Sequence, residues 1–311
     1  MIAVSDLVQA RRIAPGLLKS PHNGLAPVRL LWERYSAERK RSIAGARHRP
    51  RPELWGDTGL HAAWLGHSTV LMKIDGVTIV TDPVFSRRIG LNFGPLTIGL
   101  KRLVEPALLA GQIPRPDLIL LSHAHMDHFD LPSLRALESK STRVVTAAKT
   151  SDLLRIKRYG EVQEIGWGET ARIGGVSVRA FEVNHWGARM RSDTYRGFNG
   201  YLIETPRYRV VFGGDTAMTT GFRTLRSSRR LDLAIMPIGA YNPWIRAHCT
   251  PEQALQMADD AGAEMILPVH HQTFQLSSEP AYEPIERLAS ALANAPERLG
   301  LEEIGQEIHR D

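Results

Sequence analysis

From position 61 onward, apolar residues come in short runs: Ala62–Leu65, Val70–Ile74 and Val77–Thr81. Asp75-Gly76 joins the last two, and its tolerance of positive φ suits a two-residue hairpin turn, so antiparallel strands are predicted to open the domain. A Gly- and Pro-rich segment, 87–116, follows as an irregular connection. Asp117–Leu121 then carries apolar residues without alternation, the pattern of a strand covered on both faces. Leu131, Leu134 and Leu137 return at helical spacing and predict a helix through Ser139, with Asp130 as its N-cap and Pro132 accommodated in the first turn.

Beyond it the pattern predicts a strand over 143–146, a helix over 149–158 and a strand over 162–165. Longer strands are expected at 171–184, 198–204 and 208–213, then a strand at 232–236, a helix at 251–261, a strand at 264–268 and a helix at 283–294. Strands and helices mixed in this number indicate an α/β chain of layered sheets with helices outside. Upstream, the prolines and charged residues between Arg47 and Asp57 mark a linker, preceded by a helical pattern over 27–43. The division expected is an N-terminal extension, 1–52, packing on a single catalytic domain, 53–311.

Composition changes this picture mainly through charge. Residues 1–51 hold eleven Lys or Arg against three acids, a local charge of +8, which leaves 28 basic against 30 acidic residues, or −2, for the remainder. The basicity therefore belongs to the extension, where it suits peripheral contact with an anionic membrane. No basic arm lies within 61–311, so nucleic acid is not the expected partner, and the lack of a Walker loop or a GxGxxG fingerprint speaks against nucleotide chemistry of those kinds. The single cysteine, Cys249, cannot form an internal disulfide, and there is neither a signal-peptide pattern nor an apolar stretch of about 18 residues. A cytoplasmic protein, at most peripheral to the membrane, is the expectation.

The chemistry concentrates in His123-Ala124-His125-Met126-Asp127-His128, four metal-competent side chains between a buried strand and a helix. Side chains on a turn can converge where those on a strand alternate away from one another. Imidazole nitrogen with carboxylate oxygen suits Zn²⁺, and less selectively Mn²⁺ or Fe²⁺, while the lack of thiolates speaks against a closed structural site. One loop cannot complete two coordination spheres. Three further candidate ligands end predicted strands: His185 after 171–184, Asp215 after Val210-Val211-Phe212-Gly213-Gly214, and His270 after Met265-Ile266-Leu267-Pro268-Val269. From position alone, His271 competes with His270.

The set resembles the dinuclear metallo-β-lactamase superfamily, and within it the N-acyl-phosphatidylethanolamine phospholipase D branch, with the sugar-phosphate lactonases as neighbours. The similar segments span about residues 61–275: Trp64-Leu65-Gly66-His67-Ser68-Thr69-Val70, Thr81-Asp82-Pro83, the metal loop, His185-Trp186, Gly214-Asp215-Thr216, Pro237-Ile238-Gly239-Ala240-Tyr241, His248 with Pro251-Glu252, and His270 with Thr273-Phe274. The resemblance implies a four-layer αβ/βα sandwich. It implies one zinc on His123, His125 and His185, a second on Asp127, His128 and His270, and Asp215 bridging them; the spacing to Phe274 selects His270 over His271. The activity implied is phosphodiester hydrolysis, on a phospholipid or related substrate, through a metal-bridging hydroxide oriented by Asp127, with lactone opening or a non-catalytic metal- and lipid-binding role as the alternatives. Asp82 is expected to accept the free N–H of a metal-bound histidine. His67, Trp186 and Tyr241 are expected to line the pocket, and His248 to protonate a leaving group or contact phosphate. The sequence departs from the branch at Ala124 and Met126, at Phe198-Asn199-Gly200 and at His271-Gln272, all close to the metal residues, so specificity is left open.

Overall fold

A computed structural model describes residues 40–93, 96–190 and 192–310. The helical pattern at 27–43 lies almost wholly outside these residues. Among the described residues the strands form a sheet of seven, a sheet of six and a separate two-stranded sheet. Strands β1 (Leu60–Gly66), β2 (Thr69–Ile74) and β3 (Val77–Thr81) form the expected antiparallel meander, with Asp75 and Gly76 both at positive φ in the β2–β3 turn. From β3 the sheet runs parallel through β6 (Leu118–Leu121), β7 (Arg143–Ala147) and β8 (Glu161–Ile165). The second sheet opens with β9 (Thr170–Ile173), β10 (Val176–Phe181), β11 (Gly200–Glu204) and β12 (Arg209–Phe212), and continues in parallel with β13 (Leu231–Pro237) and β14 (Ala263–Val269).

Alternation within these strands shows why both faces are apolar. Val210, Phe212, Leu233, Ile235, Leu267 and Val269 join the core shared with the first sheet. Their neighbours Val211, Ala234, Met236 and Ile266 join a second core with Ala254, Met257 and Ala258 of α2 (Pro251–Ala261) and Ile285 and Leu288 of α3 (Glu283–Ala291). Helix α1 (Leu131–Ala136) adds Leu134, and the residue after it Leu137, to the larger core, beside Leu108, Ile113 and Tyr159. Asp130 caps α1 as predicted, accepting from Ser133 N, and Thr250 with Gln253 forms a capping box on α2.

The structure corrects the sequence reading in four places. The helix expected over 149–158 is two 3-10 turns, Ser151–Leu153 and Ile156–Arg158. The backbone N–H groups of Lys149, Thr150 and Ser151 all bond to the Glu164 carboxylate on β8, and the chain becomes extended at Leu154 (ψ 155°), which ends helical bonding after one turn. The strand expected over 171–184 is a hairpin, because Gly174 takes φ 58° and folds β10 back onto β9. The segment 87–116 contains a hairpin of β4 (Arg88–Phe93) and β5 (Leu96–Lys101). A last strand, β15 (Glu307–Arg310), pairs with β1. Residues 44–51 also dock on the domain: Ala44 bonds through its backbone to Leu103 and Glu105, His48 pairs with Glu303 at 2.8 Å, and Arg51 N donates to Glu307.

Strands β1, β3 and β6 of one sheet and β10, β12, β13 and β14 of the other deliver their C-terminal ends to the same edge of the sandwich, so the residues that follow them meet there.

Candidate metal centre

Every metal-competent residue singled out in the sequence follows one of those strand ends. His67 follows β1, Asp82 follows β3, Ser122–His128 follow β6, His185 lies beyond β10, Asp215 beyond β12, His248 beyond β13, and His270 follows β14. Three of these residues, His67 (φ 51°), Asp82 (φ 32°) and His270 (φ 65°), occupy the left-handed region without being glycine. Such conformations cost of order 1–3 kcal/mol each and persist where surrounding structure enforces them. Close approach is enforced at Gly214 and Gly239. A Cβ on Gly214 would sit 2.9 Å from Asn199 O and Ser122 Cβ, and one on Gly239 would sit 2.3 Å from His270 O. Only glycine lets the β12 and β13 ends press against the metal loop and His270.

Among the described residues the ligand atoms converge in four groups, of which the two four-membered ones share no residue. His123, His125, His185 and Asp215 form one; His67, Asp127, His128 and His270 form the other, with all ligand atoms of each group within 4.8 Å of one another. In the first, His123 Nε2 faces His125 Nδ1 at 2.8 Å, and His125 Nδ1 faces His185 Nε2 at 3.3 Å. Asp215 Oδ2 lies between the groups, 3.1 Å from His270 Nε2, 3.2 Å from His128 Nε2, 3.7 Å from His185 Nε2 and 4.0 Å from His123 Nε2. His67 is drawn into the second group, its Nε2 3.2 Å from Asp127 Oδ2, and His248 Nδ1 stands 3.9 Å from Asp215 Oδ2.

Outer contacts fix which nitrogen faces inward. His185 Nδ1 lies 2.9 Å from the Ala247 carbonyl, which can only accept, so Nδ1 carries the proton and the Nε2 lone pair points into the cluster. Asp82 Oδ2 takes His128 Nδ1 at 2.7 Å, and the same carboxylate accepts from Ser122 N and from Ser122 Oγ. With its proton given to Asp82, the Ser122 hydroxyl accepts from His123 Nδ1 at 2.8 Å. Asp82 thus orients one histidine directly and another through Ser122, one from each group. Ser122 was not singled out in the sequence, although its place between a buried strand and the metal loop was a usable signal. Asp82→Asn, which tolerates the left-handed backbone, is expected to weaken divalent-metal affinity about 10- to 100-fold in chelator competition.

The donor set fits cations. Among the described residues, the buried atoms His128 Nε2, His270 Nε2, Asp215 Oδ1 and His248 Nδ1 have no hydrogen-bond partner. Burial alone would raise the Asp215 carboxyl, but the imidazoles of His128 and His270 outweigh it and hold Asp215 well below the usual carboxylate range. Conversely, burial disfavours a charged His128, yet Asp215 and Asp127 push its pKa well above the ordinary histidine value. Burial, with the neighbouring imidazoles of His128, His125 and His185, keeps His123 neutral, and burial lowers His67 to about 3. Buried carboxylates that draw protons onto histidines are calling for positive charge, which a divalent ion held by the imidazoles would supply.

Of the aromatic residues expected to line a pocket, Trp186 lies against the first group: it is 38% exposed, with its ring 4.7 Å from that of His125 and 4.4 Å from that of His185. Tyr241 is directed elsewhere. Its hydroxyl donates to Glu283 of α3 at 2.7 Å and its ring lies under Arg287, so it ties the β13 loop to the outer helix. His271 stacks on Trp64 at 4.4 Å, outside both groups, whereas His270 is inside.

A family model described as "Beta-lactamase superfamily domain" matches residues 77–271, which include both groups except His67. The chain belongs to the beta-lactamase superfamily. Its architecture is the metallo-β-lactamase fold of the superfamily: a metallo hydrolase from Ignicoccus hospitalis superposes with a TM-score of 0.60 at 20% identity, over 82% of this chain and 99% of that one. An uncharacterized protein of Mycobacterium tuberculosis is 32% identical over 75% of this chain, which spans 64% of that relative's own length. The N-acyl-phosphatidylethanolamine-hydrolyzing phospholipase D 1 of Caenorhabditis elegans is 28% identical over 75% of this chain and 69% of its own. Among the described residues, no helix of this superfamily member is long and apolar enough to cross a membrane.

Proposed function

We propose that the protein is a metal-dependent hydrolase with two divalent ions, zinc by the chemistry of the donors, acting on a phosphodiester of a phospholipid or related compound. The observation that carries this reading is Asp215 Oδ2, set among the inward nitrogens of both histidine groups. His123, His125 and His185 would hold one ion, Asp127, His128 and His270 the other, and Asp215 both. Ions so held supply Lewis acidity and a water-derived nucleophile near neutral pH, and a pair of them suits in-line displacement at phosphorus.

The remaining steps fall to the chain itself. Asp127, which accepts from His67, would also orient the attacking water. Burial holds His248 neutral, so it serves as a hydrogen-bond donor to a phosphoryl oxygen rather than as a proton source. Trp186 gives the exposed side of the site an apolar wall. The narrower choice of phospholipid is supported by the C. elegans relative, named for hydrolysis of N-acyl-phosphatidylethanolamine. In the same reading, the basic extension contacts an anionic membrane surface.

The test is hydrolysis by the zinc-loaded protein of bis-p-nitrophenyl phosphate, of N-acyl-phosphatidylethanolamine in mixed micelles, and of a lactone panel. Turnover of both phosphodiesters but not the lactones is expected. Lactone turnover alone moves the assignment to a lactonase, and zinc binding without any turnover reduces it to a binding module.

A further inference from the structure

Arg189 stands four residues after His185, on the segment between β10 and β11, and is buried. Its Nη1 donates to two main-chain carbonyls, Ala124 O at 3.1 Å and Phe129 O at 2.8 Å. These carbonyls bracket His125–His128, the part of the loop that carries residues of both groups. Inside the bracket the backbone bonds run from His128 and Phe129 to the His125 carbonyl, a single turn. A six-residue turn with one such knot has little stiffness of its own, and a cation bridging its ends restrains it. Burial lowers the Arg189 guanidinium to about 10 against the pull of Asp130 and Asp193, which leaves it charged at neutral pH.

The segment that carries Arg189 is itself held. A Cβ at Gly187 would meet the carbonyls of Arg196 and Gly197 at 2.3 Å, and Gly197 N donates to Ala148 O at 2.8 Å beyond β7. The first histidine group takes His123 and His125 from the loop and His185 from this segment, so its geometry depends on the span between them. The second group takes Asp127 and His128 from the loop and its other members from β1 and β14.

We propose that Arg189 is a positioning residue of the metal centre, fixing the span between the His185 segment and the metal loop so that the His123–His125–His185 group binds its ion at full affinity. The proposal rests on the two-ion reading above.

The test is titration of the metal-free full-length protein with Co²⁺, followed by visible absorption, and with Zn²⁺ against a competing chelator, for wild type, Arg189→Met and Arg189→Lys. In Arg189→Met one ion is expected to bind about 10- to 100-fold more weakly and the other less than about threefold so, with circular dichroism unchanged. Arg189→Lys, whose one nitrogen has hydrogens enough for both carbonyls but a shorter reach, is expected to show a smaller loss at the same ion. Wild-type affinities for both ions in the variants overturn the role of Arg189, as does equal weakening of both. If the methionine variant does not fold, selective weakening in the lysine variant supports the role and its absence overturns it. A wild-type protein that binds fewer than two ions overturns the two-ion reading, and the role of Arg189 with it.

Discussion

Asp215→Ala is expected to lose turnover by on the order of a thousandfold or more and to retain less than the full complement of metal. The carboxylate is the group whose single oxygen approaches nitrogens from both clusters, within 3.1 to 4.0 Å of four of them. No neighbouring side chain can take its place: Asp127 is already bonded to His67, and Asp82 is occupied by Ser122 and His128 on the outer side. The fold is expected to survive. Removing one buried carboxylate relieves a desolvation cost and lets His128 and His270 become neutral, so the metal-free variant should melt within a few degrees of the metal-free wild type. Metal analysis beside steady-state kinetics checks both halves, and an active, metal-replete Asp215→Ala protein sinks the bridging role.

Removal of metal by a strong chelator is expected to abolish hydrolysis and to lower thermal stability together. A ligand that binds only the folded protein stabilises it by about 4 kcal/mol when present at a thousand times its Kd, which for a chain of this size is a shift of several degrees per ion. The site would make this coupling large because the residues proposed to hold the ions follow four strands in two sheets, β6 in one and β10, β12 and β14 in the other, so an ion there would clamp the sheets to one another. Zn²⁺, and to a lesser degree Mn²⁺, should restore both properties. Melting curves with and without chelator, run alongside the phosphodiester assay, decide it: a chelated protein with wild-type turnover overturns the metal-dependent reading.

Two kinds of information in the chain behave differently. Local patterns were legible where the local force was strong: the Asp75-Gly76 turn, the Asp130 cap, the doubly covered Leu118–Leu121 strand and helix α2 all form where the residues call for them. The metal loop was legible because four metal-competent side chains sit within six positions, and His185, Asp215 and His270 because each follows an apolar run. Legibility failed where a distant group decided the outcome. The segment 149–158 has helical composition, but a carboxylate from β8 captures its first backbone donors. Strand β15 has no strong pattern of its own and forms because β1 offers it an edge.

The chemistry, a cluster of imidazoles and carboxylates at strand ends, is therefore written in the chain, because residue type and spacing are local properties. The partition comes from packing: His67 beside Asp127, Ser122 linking Asp82 to His123, Tyr241 turned toward α3, and Arg189 reaching back across sixty residues to the metal loop. Those contacts join positions far apart in the chain. They exist because two twisted sheets bring seven strand ends to one edge, a property of the packing that no local spacing encodes.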